Sequence, residues 1–452
     1  MIILGTNSIK DTGFDVANSL RFDDGSSDYL NRTQSTSPTN SKKGTISFWV
    51  KRGALGDQHI LNGYTDTNNR AFLNFTSDDR LQVGQKNSGT TVYQIQETAQ
   101  RRDVSAWYNC VFAFDTTDAT ASNRLKLYVN GSQVTDFTTN NEIEVNEDIK
   151  LFNLANLQLG RAGGGSNYFD GYLAEFVYVD GSQLGADSFG EFDSDSGIWK
   201  PIDVSGLTFG TNGFYLDFED SSALGNDVSG NNNDFTVNNL TAVDQSTDTC
   251  TNNFATINSL DKNLSDVVLS EGNLKMTTTA VNKGSRATIG VSSGKWYWEI
   301  KIGSKGSNDI LIGIAQPSNW SLDYVGSSST SYSYASGAQK YNNTSASSYG
   351  ASFTTNDIIG VALNMDDGEI AFYKNGSSQG TAYTGIPTTD FILPAFSGQS
   401  GGGVDTDFSV NFGSPPYSES GGNSDGNGYG NFAASVPSGY FCLNTKNLAE
   451  YG

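Results

Sequence analysis

The sequence predicts an all-β chain of antiparallel strands, and three observations carry that prediction. First, one short phrase is written three times: an alternating apolar run enters Asn-Gly-Ser or Asp-Gly-Ser at 125–132, 175–182 and 370–377. Asn-Gly and Asp-Gly between strands favour a two-residue type I′ hairpin, because both central residues need positive φ. Second, the 452 residues include 51 Gly and only 8 Pro, with abundant Ser, Thr and Asn. That balance suits many short strands joined by tight turns. Third, Ile46, Phe48 and Val50 alternate with Ser47, Trp49 and Lys51. A period of two marks a strand with one face in a core. Trp49 on the other face predicts that this second face is partly covered too.

Residues 1–200 read as one β domain, with strands at 19–22, 45–51, 71–75, 81–85, 91–96, 107–114, 125–129, 157–159 and 174–179. One short helical candidate, 185–192, precedes the acidic turn 193–197. Residues 201–260 are rich in Asn, Asp, Ser and Thr but carry Phe214, Tyr215, Leu216, Phe218, Phe235 and Val237. A free linker would lack those anchors, so this is read as a packed connector with a hairpin around 231–234. Residues 261–413 form a second β domain, with strands at 274–278, 295–302, 310–315, 358–364, 369–374, 392–396 and 408–412. Residues 414–452 start with a Gly/Ser/Asn-rich stretch to 435, read as a flexible loop. They close with an apolar segment, 436–448, that docks as a strand or clasp. No long helix and no heptad or collagen period is visible.

Net charge is −22, which argues against nucleic acid as a partner, since that needs clustered Lys and Arg. An anionic membrane surface is disfavoured for the same reason, and no apolar stretch is long enough to span a membrane. Such acidity keeps a protein soluble and offers carboxylates to divalent cations. Cys110, Cys250 and Cys442 are far apart and odd in number, so no disulfide framework is expected. With no C-x-x-C pair and His59 as the only histidine, a zinc site is not expected either. The N-terminus lacks the basic and apolar regions of a signal peptide. The expectation is a protein made in a cytoplasm that reaches its working place by assembly.

The first domain resembles the laminin-G-like, concanavalin A-like jelly-roll sandwiches. The resemblance runs in order through 19–23, 44–50, 107–112, 127–131, Leu159-Gly160-Arg161 and 169–176, the last reading Phe-Asp-Gly-Tyr-Leu-Ala-Glu-Phe. The second domain resembles SPRY domains, through Gly294-Lys295-Trp296-Tyr297-Trp298-Glu299, 312–315, 356–363, 370–376, Leu393-Pro394-Ala395 and 410–413. Together these resemblances imply two antiparallel β-sandwiches, the second of a kind used mostly for peptide or protein recognition. Segments 213–235 and 437–448 resemble stretches common in virion proteins of marine tailed phages, loosely described as tail-fibre, capsid-fibre or appendage proteins.

Candidate site residues follow. Concanavalin A-like glucanases carry Glu-x-Asp-x-x-Glu on one strand, and this chain has Glu142-Ile143-Glu144-Val145-Asn146-Glu147. Glu142 and Glu144 would share a face, while Glu147 would point away without a bulge. A retaining glycosidase needs its two carboxyls ~5 Å apart, and a solvated acidic loop fits the flanking Asn and Asp residues better. One histidine and no G-x-S-x-G elbow leave Ser/His/Asp and Cys/His chemistry without support. Ca²⁺ could draw on Glu191, Asp193 and Asp195, or on Asp227, Asn231, Asn233 and Asp234. Asx turns explain both clusters without metal. The stretch holding Trp320, Tyr324, Tyr332, Tyr334, Tyr341 and Tyr349 among Ser, Gly and Asn has the composition of a paratope. Against that, Tyr332 and Tyr334 alternate as on one side of a strand, with Lys340 and Tyr341 opposite. Loops carrying Tyr64, Asp66 and Asn68, and the run from Gly163 to Tyr168, could hold sugar or be ordinary turns.

The resulting expectation is a non-enzymatic virion structural protein, on tail or capsid, with host-surface glycans or proteins as candidate contacts. It would assemble as an oligomer with other virion proteins. The alternative is a cellular lectin or adhesin, and third a glycan-degrading hydrolase.

Overall fold

In the computed structural model, which describes residues 11–153, 156–263, 265–318, 320–398 and 405–452, the strand Lys43–Arg52 sits between two partners. Trp107–Asp115 pairs on one side and Gly171–Asp180 on the other. Ile46, Phe48 and Val50 enter the main core, while Trp49, 4% exposed, joins a second cluster on the opposite face. The second face is therefore covered, as its tryptophan predicts.

The chain divides into two units, one spanning Thr12–Thr251 and the other containing Asn252–Gly452. The first has two eight-stranded antiparallel sheets. One runs from Ser132–Gln133 through Leu125–Val129, Trp107–Asp115, Lys43–Arg52, Gly171–Asp180 and Ser19–Phe22 to Gln245–Ser246, with Phe214–Leu216 also paired to Gly171–Asp180. The other runs from Phe137–Asn141 through Thr90–Gln100, Arg80–Asn87, Asn69–Phe75, Gln58–Asp66, Asn156–Leu159 and Tyr29–Thr33 to Thr236–Asn238. Leucines, phenylalanines and valines from both sheets form one buried cluster.

The segment read as a connector supplies strands to both sheets. Phe214–Leu216 pairs with Phe176–Tyr178, Thr236–Asn238 with Tyr29–Asn31, and Gln245–Ser246 with Ser19–Leu20. The cause is apolar: Phe214, Leu216, Phe218 and Phe235 all lie in the main core. There is no hairpin at 231–234. The Asp227 carboxylate instead accepts from the backbone of Tyr215, Ser229 and Asn233 and winds that stretch into turns.

Two of the three repeated phrases are the expected hairpins. Asn130 and Gly131 have φ of 47° and 74°, Asn375 and Gly376 of 47° and 78°, and each pair links directly bonded strands. The third is not a hairpin. Asp180 is buried and its carboxylate accepts from the backbone of Thr39, Asn40 and Asn212. That commitment leads the chain into the turn Ala186–Ser188. The helical candidate at 185–192 shrinks to this single 3₁₀ turn, followed by the strand Gly190–Phe192.

The second unit has a seven-stranded and an eight-stranded sheet. Lys295–Ser304 is central to the latter, paired with Ile358–Asn364 and Thr406–Asn411. Trp296, Trp298, Ile300 and Ile302 from this strand lie in a core completed by Ile312, Val361, Phe372 and Phe396. The stretch 414–435 is tied down. The Glu299 carboxylate accepts from the backbone of Ala433 and Ala434 at 2.8 and 3.0 Å. Asp425 accepts from the backbone of Asn427, Tyr429 and Cys442. Phe432 is fully buried. The closing segment docks as Phe441–Cys442, parallel to Trp296–Tyr297, and ends in the helix Thr445–Tyr451, which the sequence reading missed. Among the described residues no helix is long and apolar enough to cross a membrane.

Candidate binding face

The second sheet of the first unit has one face in the core. Its other face follows from period two: Leu61, Leu73, Val83 and Ile95 point inward, so their neighbours point out. The register then aligns residues across strands. Asn31 opposes Gln158, Gln158 opposes Asn62, Asn62 opposes Phe72, Phe72 opposes Gly84, and Gly84 opposes Gln94. A parallel row runs His59, Asn74, Gln82, Gln96, and a third runs Tyr64, Arg70, Lys86, Thr91. Directly opposed residues share a face, so amides cross this face from edge to edge, with Asn62, Asn74, Gln82 and Gln158 buried beneath and Asn31, Gln94 and Gln96 half-buried.

Gly84 is part of the design. A Cβ there would stand 2.5 Å from Cζ of Phe72, so the ring lies over the bare backbone. Gly84→Ala is expected to displace Phe72 and lower stability by about 1–3 kcal/mol, read as a drop in the urea midpoint. A cleft of about 330 Å³ opens on this face, lined by Asp57, His59, Arg70, Phe72, Asn74, Gln82, Lys86 and Gln94 among others. Burial pushes the His59 imidazole down to about 4, against the pull of Asp57 at 3.8 Å. It is therefore neutral at pH 7. The Asn62 amide sits 3.1 Å from Nδ1 and, as its donor, leaves the ring proton on Nε2. Asp57 accepts from the side-chain amides of Asn74 and Asn167. Each amide offers two donors and an acceptor, a set that matches sugar hydroxyls, which both give and take hydrogen bonds.

Of the sugar candidates, Tyr64 lies on this face in the third row, and a Cβ on Gly163 would meet its ring at 1.9 Å, so the glycine loop packs on it. Asp66 and Asn68 form the adjoining turn. Asp66 accepts from the backbone of Asn68 and Asn69, and the Asn69 side chain foremost holds its carboxyl below the usual range. Tyr168 packs near Tyr29, over which the Arg161 guanidinium sits at 3.4 Å.

The tyrosine-rich stretch of the second unit divides between two faces. Trp320, 5% exposed, packs with Leu311, Val325 and Ala335, and Tyr324 and Tyr341 lie against that cluster. Tyr334 is fully buried in the main core, with Tyr332 and Tyr349 packed over it. Lys340 opposes Tyr334 and reaches over the rings of Tyr349 and Tyr383, so it shares the face of Tyr332 and Tyr334. That corrects its expected placement with Tyr341.

The expected calcium residues serve their own turns. Asp193 accepts from the backbone of Asp195 and Ser196, and Lys200 pairs with Glu191 at 3.2 Å. Asp234 accepts from Asp227 N, while Asn231 and Asn233 donate to Gly213 O. The described carboxylates that do converge are Asp23, Asp24 and Asp170, with oxygens within 4.8 Å of one another. Burial, then Asp23, pushes the Asp24 carboxyl up. Glu142 and Glu144 are exposed in a loop, and Glu147 accepts from Gln85.

Sequence reasoning missed the amide rows because two of their strands, Tyr29–Thr33 and Gln58–Asp66, went unread. Asn and Asp score as turn formers. The alternation Ile60 or Leu61 with Asn62, and Leu157 with Gln158, is the signal that could have found them.

Comparison with known proteins matches residues 295–411 to the SPRY domain and 24–187 to the concanavalin A-like lectin/glucanases superfamily. Among curated proteins the chain is 31% identical to a probable ATP-dependent RNA helicase, ddx1, of Dictyostelium discoideum over 133 residues, 29% of this chain and 16% of that protein. It is 31% identical to Ran-binding protein 9 of Xenopus tropicalis over 160 residues, 33% of this chain and 28% of that protein. It is 29% identical to the E3 ubiquitin-protein ligase RKP of Arabidopsis thaliana over 121 residues, 27% and 10% of the two chains. The chain thus spans less than a third of the length of these relatives, and none of the three is named as a virion protein. Among solved structures, the SPRY domain of human HERC1 is similar at a TM-score of 0.30 and 18% identity, over 34% of this chain and 96% of that one. A concanavalin A-like domain followed by a SPRY domain marks a protein-binding or lectin-like module.

Proposed function

We propose that this chain is a non-enzymatic recognition protein that holds glycans on the outer sheet face of its first unit. The carrying observation is the registered row Asn31, Gln158, Asn62, Phe72, Gly84, Gln94, amides with one ring at the centre. The half-buried amides at its ends, Asn31 and Gln94, offer donors and acceptors to a hydroxylated ligand, and the row itself holds no carboxylate pair. Its working place on this reading is a virion appendage, displayed as an oligomer in which many weak contacts act together. The likeness of segments 213–235 and 437–448 to phage virion proteins supports that placement.

A glycan array with the full chain tests the binding. Binding is expected for a subset of oligosaccharides, with Asn31→Ala and Gln94→Ala each weakening it about tenfold, the effect of removing a polar contact to the ligand. No binding, or binding indifferent to both substitutions, rejects this face. Co-purification with intact particles tests the virion placement. A cellular protein-binding role is the second reading, supported by the likeness to Ran-binding protein 9. A peptide ligand held by the second unit, with no particle association, would favour it.

A further inference from the structure

Resting on the glycan reading, we propose that the sugar held on this face is anionic, carrying a carboxylate or a sulfate that Arg70 and Lys86 receive together.

The argument starts from register. Arg70 and Lys86 are directly opposed on adjacent strands, and both line the cleft. Like charges directly opposed across a ladder destabilise the pair. Among the described residues neither cation has a carboxylate within ion-pair distance, whereas Arg80 and Arg101 at the same sheet each have one, and Arg70 Nε is buried without a hydrogen-bond partner. Asp57 also lines the cleft, but it is engaged by Asn74 and Asn167. Neutral His59 adds no charge. An anion between the two cations would relieve their repulsion.

The neighbours say what else the ligand carries. Tyr64 opposes Arg70 in the same row, next to the amide row that matches hydroxyls. Cation pair, ring and amides in adjoining rows describe an acidic saccharide better than a free inorganic anion, which would use only the cations.

The test uses the full chain and calorimetry with three probes of equal length: a galacturonate oligomer, a sulfated galactose oligomer and a neutral galactose oligomer. The expected result is at least one acidic oligomer bound about tenfold more tightly than the neutral one, with that margin shrinking as salt is raised. The two acidic arms separate carboxylate from sulfate. In the double variant Arg70→Gln, Lys86→Gln the margin between acidic and neutral oligomers should vanish. Equal affinity for all three overturns the charge assignment and leaves the glycan reading standing. Acid preference that survives the double variant overturns the residues named. Binding of none, with only neutral oligosaccharides held on the array, overturns the charge assignment; with nothing held on the array either, the glycan reading falls. If the double variant fails to fold, the wild-type margin and its salt dependence still decide.

Discussion

Asp425→Ala should cost about 3–4 kcal/mol and free the Gly-rich stretch that precedes the C-terminal helix. The reason is a count of donors. Oδ1 accepts from the backbone of Asn427 and Tyr429, at 2.9 and 3.0 Å. Oδ2 accepts from Cys442 N at 3.0 Å, Asn447 Nδ2 at 2.8 Å and Cys442 Sγ at 3.2 Å. Asp425 is 7% exposed and Cys442 and Asn447 are fully buried. Removing the carboxylate strands buried donors that water cannot reach, and each such loss costs about 1–3 kcal/mol. The Asn447 Nδ2 group keeps its bond to Cys442 O, which limits the total. Urea unfolding followed by tryptophan fluorescence reads the stability. Limited proteolysis reads the local effect: cleavage within 414–435 should be slow in the native chain and fast in the variant. An unchanged digestion pattern would mean that Glu299 alone holds the segment.

Glu175 predicts an opposite kind of change. It is the extra residue of a β-bulge, with φ of 50° and a register shift between Ala174 and Val177. The bulge reverses the parity of the strand, so Leu173 and Phe176 both reach the main core. Its carboxyl is buried at 6% exposure and accepts from the Tyr215 hydroxyl at 2.7 Å. Burial pushes its pKa up to about 8 from 4.5, the Tyr215 hydrogen bond works against that, and Asp217, Glu219 and Asp203 add to the rise. The folded chain thus holds a proton that the unfolded chain releases near 4.5. Stability from this group is complete below 4.5 and is lost as pH rises towards 8, at roughly 1.4 kcal/mol per unit. Glu175→Gln removes the effect. The variant and the native chain should melt alike near pH 5, and the variant should be the more stable by a few kcal/mol at pH 8. A difference that does not grow with pH would show that Glu175 titrates normally.

Much of the fold could be read from the sequence where apolar alternation was unbroken. Ser19–Phe22, Leu125–Val129, Ile310–Ala315, Ile358–Asn364 and Glu369–Lys374 lie where Leu, Ile, Val and Phe alternate or run on. Legibility failed where side chains serve two purposes. Asp180 sits in a phrase that spells a hairpin, but its carboxylate is needed by Thr39 and Asn212, and long-range partners are invisible to local patterning. Residues 414–435 read as flexible because Gly and Ser dominate, whereas Asp425 and Glu299 anchor them from within and from 134 residues away. The candidate face failed for a related reason. Tyr64 was singled out, yet the amides that surround it read as turn formers, and only register across six strands brings them together. Arg70 and Lys86 are 16 positions apart and gain meaning only as opposed residues.

On the proposed reading, the protein meets its ligand on the outer face of this sheet. A crystal structure of the full chain with an acidic oligosaccharide tests it most directly. Sugar density is expected over Gln58–Asp66, Asn69–Phe75 and Arg80–Asn87, with the acidic group between Arg70 and Lys86. Sugar seated against the tyrosines of the second unit, or on the loops around Asp23 and Asp170 with this face bare, would contradict it.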